Sequence, residues 1–135
     1  MSDKVFISYS EYGNLLNCLV DKLKDVKGLK YIYGIPKGGL PIAVHLAHHL
    51  DLRLVETNEV YERDKEEILI VDDIVDTGET MSRFKDVDSH YPMVASLFYK
   101  TESEIVPDYY AKSIGHIWIV FPWEKSDEKP NRSGY

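Results

Sequence analysis

Ile68-Leu69-Ile70-Val71-Asp72-Asp73-Ile74-Val75-Asp76-Thr77-Gly78-Glu79-Thr80 decides how the rest of the chain is read. Its first four residues are wholly apolar, mostly β-branched and too few for a helix. They predict a central strand covered on both faces. The acids, glycine and threonines that follow predict a turn. Met81, Phe84 and Val87 then predict the inner face of a helix over about residues 79–89. In an open α/β sheet such a loop lies at the carboxyl end of its strand, where ligands bind. Gly78 permits close approach of a ligand, Thr77 and Thr80 supply hydroxyls, and the leading N–H groups of the helix point outward, so the loop suits a phosphate. The acids make the opposite demand. Two carboxylates about 6 Å apart at an effective dielectric of about 20 repel by roughly 3 kcal/mol. Sugar hydroxyls, a hard cation such as Mg²⁺ or a shifted pKa would offset that repulsion. A phosphorylated sugar held with metal meets both demands.

The flanking sequence repeats the same grammar of apolar runs and helix-periodic segments, which predicts an α/β fold with a twisted, mostly parallel sheet and helices on both faces. Leu15, Leu16, Leu19, Val20, Leu23 and Val26 predict a helix from Ser10 or Glu11 to Gly28. Tyr31–Gly34 predicts a strand, Ile35–Gly39 a loop, and about 40–50 a helix with Pro41 in its first turn. Leu52–Val55 reads as a strand that reaches towards Val60, and Tyr61–Glu67 as a charged connector. Met93–Tyr99 and Ile117–Phe121 predict two more strands. Residues 1–123 form one domain, and 124–135 a polar tail with no apolar residue before Tyr135.

Composition narrows the function. The 135 residues carry 16 Lys plus Arg against 23 Asp plus Glu, a net charge of −7. That balance excludes a protein whose partner is a nucleic-acid backbone, but not one with a small polyanionic ligand. No apolar run is long enough to span a membrane. A lone cysteine, Cys18, forms no internal disulfide, and with no leader in view it reads as a small hydrophobe in a reducing cytoplasm. An EF-hand reading fails at Val75 and Phe84, which fall on its third and twelfth positions. A P-loop reading fails because Leu40-Pro41 stand where Lys and Ser/Thr are required. His45, His48 and His49 share one helix, but no third ligand accompanies the His45/His49 spacing, so they read as surface or satisfied histidines.

The string from Val71 to Thr80 resembles the signature of the type I phosphoribosyltransferases, which bind 5-phosphoribosyl-1-pyrophosphate (PRPP). Gly34-Ile35-Pro36-Lys37-Gly38-Gly39 is similar to that family's pyrophosphate loop. Phe98-Tyr99-Lys100 and the stretch from Trp118 to Glu124 resemble base-binding elements of short purine members, of the xanthine–guanine and hypoxanthine type. The resemblance implies a small hood, built from the N-terminal strand and about residues 101–123, beside the sheet. It implies that Asp72 and Asp73 hold the ribose hydroxyls with Mg²⁺ as cofactor, directly or through water, and that Asp76 takes the N7 proton of the base. Thr77, Gly78, Glu79 and Thr80 would cradle the 5′-phosphate, and Lys37, Gly38 and Gly39 the pyrophosphate, often through a non-proline cis peptide. Lys100 would donate to a purine 6-oxo group, Trp118 would stack on the ring, and the backbone of Ile119 and Val120 would read its edge. Family members commonly form homodimers.

Two departures from the family pattern bear on function. Its long mobile loop before the PRPP strand is reduced here to residues 61–67, so a PRPP- or nucleotide-binding regulatory module with little turnover stands beside the enzyme reading. Val120 occupies the place where xanthine–guanine enzymes carry a glutamate, so the resemblance favours hypoxanthine at least as much as guanine or xanthine. An RNA-binding regulator of the same fold would need a basic face, which pI 5.2 opposes.

Overall fold

The computed structural model describes residues 3–84 and 92–125. In chain order these form β1 (Asp3–Phe6), α1 (Tyr9–Leu23), β2 (Tyr31–Gly34), α2 (Gly39–Leu50), β3 (Arg53–Leu54), α3 (Thr57–Glu62), a 3-10 turn (Lys65–Glu67), β4 (Ile68–Val75), α4 (Glu79–Ser82), β5 (Met93–Lys100), β6 (Tyr109–Ile114) and β7 (Ile117–Val120). Five strands pair in the order β3-β2-β4-β5-β6, all parallel, while β1 and β7 form a separate parallel pair.

Every residue of β4 is buried, because the sheet is covered on both sides. Leu69 and Val71 face one core with Leu16, Leu19, Leu23, Ile42 and Leu46 of α1 and α2. Ile68 and Ile70 face the other, with Val60 of α3, Met81 and Phe84. Alternate residues of one strand therefore serve opposite layers, as strand geometry requires. From β2 the chain steps outward to β3, then returns to the other side of β2 as β4. The sheet thus has its topological switch between β2 and β4, and the crevice at their carboxyl ends is where such a sheet offers a site.

Several expected boundaries move. α1 starts at a Ser8 N-cap with a complete Ser8/Glu11 capping box and stops at Leu23, so Gly28 (φ +91°) belongs to the turn that follows rather than to the helix end. The strand expected to run from Leu52 towards Val60 is only Arg53–Leu54; Val55 and Val60 belong to the turn and helix that pack on the second core. β4 runs on through Asp72 and Asp73 to Val75 because it stays paired with β5 as far as Val75–Tyr99, and each aspartate carboxylate accepts the N–H of the next residue, Asp73 and Ile74 respectively, both at 2.8 Å. α4 ends at Ser82; the rest of the expected helix, with Val87, lies outside the described residues, as does the tail beyond Lys125. The expected hood segment divides. Tyr109–Ile114 extends the main sheet as β6, and only Ile117–Val120 joins β1. Among the described residues no helix is long and apolar enough to cross a membrane.

Leu46, with no exposed surface, joins α2 to the first core. Leu46→Ala is expected to cost about 3 kcal/mol, a large part of a typical stability of about 5–15 kcal/mol. Urea unfolding should show a lower midpoint with an unchanged m-value.

Candidate functional site

Two loops leave the sheet at the switch, and their backbones touch. After β2, Ile35 N–H donates to the Val71 carbonyl (2.9 Å) and Gly39 N–H to the Ile35 carbonyl (2.8 Å), closing residues 35–39 into a tight turn. The Pro36–Lys37 peptide within it is cis. A Cβ on Gly39 would strike the Val71 carbonyl oxygen, and one on Gly38 would lie 2.5 Å from Asp73 Oδ2. Only glycine fits at position 39, where the neighbour is backbone; at position 38 a larger residue would have to displace the Asp73 carboxylate. Lys37 stands exposed at the rim.

The two leading acids are buried, Asp72 4% and Asp73 2% exposed, and they are not presented alike. Asp73 lies beneath Gly38. Asp72 lines a small cleft with Asp76, Thr77, Gly78 and Thr80. Neighbouring residues of a strand point to opposite faces, so the pair straddles the end of β4. In the loop, Thr77 Oγ1 accepts Glu79 N–H (3.2 Å) and Gly78 holds a left-handed φ of +88°. Thr77 and Glu79 are exposed, whereas Thr80 is buried.

Asp76 and Lys100 meet because of register. β4 and β5 pair with a constant offset as far as Val75–Tyr99, and one further step sets Asp76 opposite Lys100. Lys100 Nζ lies 3.3 Å from Asp76 Oδ1, with the side chains 16% and 33% exposed. A largely desolvated cation and a carboxylate thus stand side by side at the edge of the loop. The pair presents one donor and one acceptor about a hydrogen bond apart.

The third group of expected residues sits on the β1–β7 pair. Trp118 is opposite Lys4, whose Nζ lies 4.4 Å from the indole centroid, a cation–π distance. Ile119 and Val120 are buried, and the Val120 carbonyl accepts Ile7 N–H at 3.0 Å. Trp123 stacks on Phe121 and meets Tyr12 edge-on, so it is a core aromatic. His45 Nδ1 bonds the Tyr12 hydroxyl at 2.5 Å, and burial pushes that phenol's pKa upward.

A wider depression beyond the phosphate-type loop is completed by Glu102, Glu104, Ile105 and His116, none of which the sequence pattern singles out. Glu102, Glu104 and Ile105 lie in the polar turn after β5 and His116 in the turn between β6 and β7, where no periodicity marks them. Among the described residues no three His, Cys, Asp or Glu side chains gather as a metal site. A small hard cation that keeps waters and substrate oxygens needs only one or two carboxylates, and Asp72, which lines the cleft, offers oxygen donors of that kind, with Asp73 on the other side of the strand.

Known proteins resemble this chain over most of its length. A family model described as phosphoribosyl transferase domain matches residues 58–129. The xanthine-guanine phosphoribosyltransferase of Vibrio parahaemolyticus is 27% identical over 142 residues, covering 93% of this chain and 92% of that protein. The crystal structure of a purine phosphoribosyltransferase from Pyrococcus horikoshii superposes with a TM-score of 0.75 at 28% identity, covering 96% and 99% of the two chains. The Helicobacter pylori xanthine-guanine-hypoxanthine enzyme shares the fold, with a TM-score of 0.71 at 23% identity over 90% and 94% of the chains.

The glycine contacts give a direct test. Gly39→Ala must push apart two backbones and is expected to destabilise by about 3 kcal/mol. Gly115, where an added methyl group would meet nothing within 4 Å, serves as control. Gly115→Ala should change urea stability by less than about 0.5 kcal/mol.

Proposed function

Because this chain belongs to the phosphoribosyl transferase domain family, we propose that it moves the 5-phosphoribosyl group of PRPP onto a 6-oxopurine. Hypoxanthine, guanine and xanthine are the candidate bases, and the products are a nucleoside monophosphate and pyrophosphate. The observation that carries this reading is the Lys100–Asp76 pair at 3.3 Å beside the Thr77–Thr80 loop. A 6-oxopurine protonated at N7 offers the complementary edge, an acceptor at O6 for Lys100 and a donor at N7 for Asp76. Adenine carries a donor at the 6-position, which would face the Lys100 ammonium and leave both unpaired.

In this reading Thr77–Thr80 hold the 5′-phosphate and Lys37, Gly38 and Gly39 the pyrophosphate. Asp72 and Asp73 orient the ribose hydroxyls and would hold Mg²⁺, which supplies charge neutralisation for the pyrophosphate when bound. The bond from C1 of the ribose to the pyrophosphate oxygen breaks as purine N9 attacks, through an oxocarbenium-like centre. The proton on N7 passes to Asp76, so the nucleotide leaves the reaction with a neutral ring. Trp118 gives the base an aromatic surface, while β1 holds β7 in place behind it.

Pyrophosphate release in the presence of PRPP and Mg²⁺ is the deciding measurement, with hypoxanthine, guanine, xanthine, adenine, uracil and orotate supplied in turn. Turnover confined to the oxopurines is the expected result. PRPP binding without turnover of any base would make the chain a nucleotide-binding module instead. Asp76→Asn should lower kcat about 10²-fold or more. Lys100→Ala should lower kcat/KM for hypoxanthine about 10²-fold while leaving residual adenine use nearly unchanged.

A further inference from the structure

The segment between β3 and β4 is fastened to the body of the protein. Val60 is wholly buried, and Thr57 Oγ1 shares a 2.8 Å hydrogen bond with the Tyr33 hydroxyl. Arg63 lies over the Tyr31 ring (4.5 Å) and pairs with Glu59 at 3.2 Å. Tyr61 stacks on Phe84. This connector therefore braces the second core, and the contacts that shape the phosphate loop come from elsewhere.

They come from residues 101–106, after β5. Ser103 N–H donates to the Lys100 carbonyl (2.9 Å), and Glu104 N–H donates to the Thr77 carbonyl (3.2 Å). Ser103 Oγ accepts Ile105 N–H (3.2 Å) and donates to the Ile105 carbonyl (2.8 Å), which stiffens the turn. Further on, the Asp108 carboxylate accepts Val94 N–H at 2.8 Å and ties the segment to the sheet. Ile105 packs against the second core and covers Gly78 so closely that a Cβ there would lie 2.9 Å from Ile105 Cβ. Gly78 is the left-handed residue on which the loop turns.

We propose that residues 101–106 act as a strap that sets the conformation of the Thr77–Thr80 loop, with Ile105 as a positioning residue for the phosphate of PRPP. The strap fixes two substrate-facing groups to one another, since it is hydrogen-bonded to Lys100 through Ser103 and to Thr77 through Glu104. This inference rests on the reading of that loop as the PRPP phosphate site. In this proposal Ile105 acts through Gly78, which its side chain covers.

The test compares wild type with Ile105→Ala and the conservative Ile105→Val, using steady-state kinetics with hypoxanthine and calorimetric titration of PRPP with Mg²⁺ in the absence of base. Small displacements of positioning groups carry large kinetic penalties, so Ile105→Ala should raise KM for PRPP and weaken its binding by about tenfold. KM for hypoxanthine should stay within about twofold, and Ile105→Val should restore most of the PRPP affinity. A purely packing role would lower the active fraction, reducing kcat with both KM values and PRPP affinity unchanged, and that result overturns the strap. Equal increases in both KM values also overturn it. If wild type binds PRPP without turnover, the enzyme reading fails while the titration still decides the strap. If wild type binds no PRPP, both fall together.

Discussion

Backbone against backbone at the sheet switch is the contact on which the rest of this molecule depends. Gly34, Gly39 and Ala43 lie so close that a Cβ on Gly34 would be 2.7 Å from Ala43 Cβ and 2.8 Å from the Gly39 carbonyl oxygen. Three small residues let α2 start directly above the ends of β2 and β4. With any larger side chain the helix would stand off, the Ile35–Gly39 turn would lift, and Asp73 would lose its cover. Packing at native density leaves no slack to absorb such a shift. The same closeness gives α2 its grip on the first core through Ile42 and Leu46.

The electrostatics follow from that geometry. Two buried aspartates at the end of an apolar strand would be costly alone, since burial disfavours the charged form. Each accepts the amide N–H of its successor, which gives the carboxylate local support, while pairing with β5 keeps β4 extended through the acids. Asp76, one turn of the loop further, finds Lys100 instead. The three aspartates of the site are therefore supported by backbone donors and one lysine. A polyanionic substrate would meet an organised set of groups there, although the chain as a whole is negative.

Elements with strong local signals were legible in the sequence. The apolar run at Ile68 announces a buried strand, Pro41 marks the first turn of α2, and the Asp-Thr-Gly string announces a ligand loop. What escaped was set by tertiary context. Val55 and Val60 look like one strand because both are β-branched, yet they pack on the same core from a turn and a short helix. Tyr109–Ile114 has partly exposed and polar positions because β6 is an edge strand, so no clean alternation betrays it. Lys24, Val26 and Gly28 mimic a helix end, although the chain has already turned at Lys24. Around the loop, Asp72 through Thr80 stood out by residue type and spacing, and Lys100 by family resemblance. Ile105 did not, since its role depends on a three-dimensional neighbour 27 positions away, Gly78.

The parallel ladder between β4 and β5 also acts as a ruler. Lys100 closes β5 and Asp76 follows the last paired residue of β4, so a ladder that ends at Val75–Tyr99 brings the two side chains to the same end of the sheet. The surfaces that would judge the rest of the base lie on β1 and β7, which pair with one another and not with the main sheet. In the proposed reaction the Lys100–Asp76 pair and the aromatic surface of Trp118 would thus stand on separately hydrogen-bonded parts. Substitutions on the smaller pair would change the surface offered to the ring while leaving the Lys100–Asp76 spacing, and with it the choice at the purine 6-position, as it is.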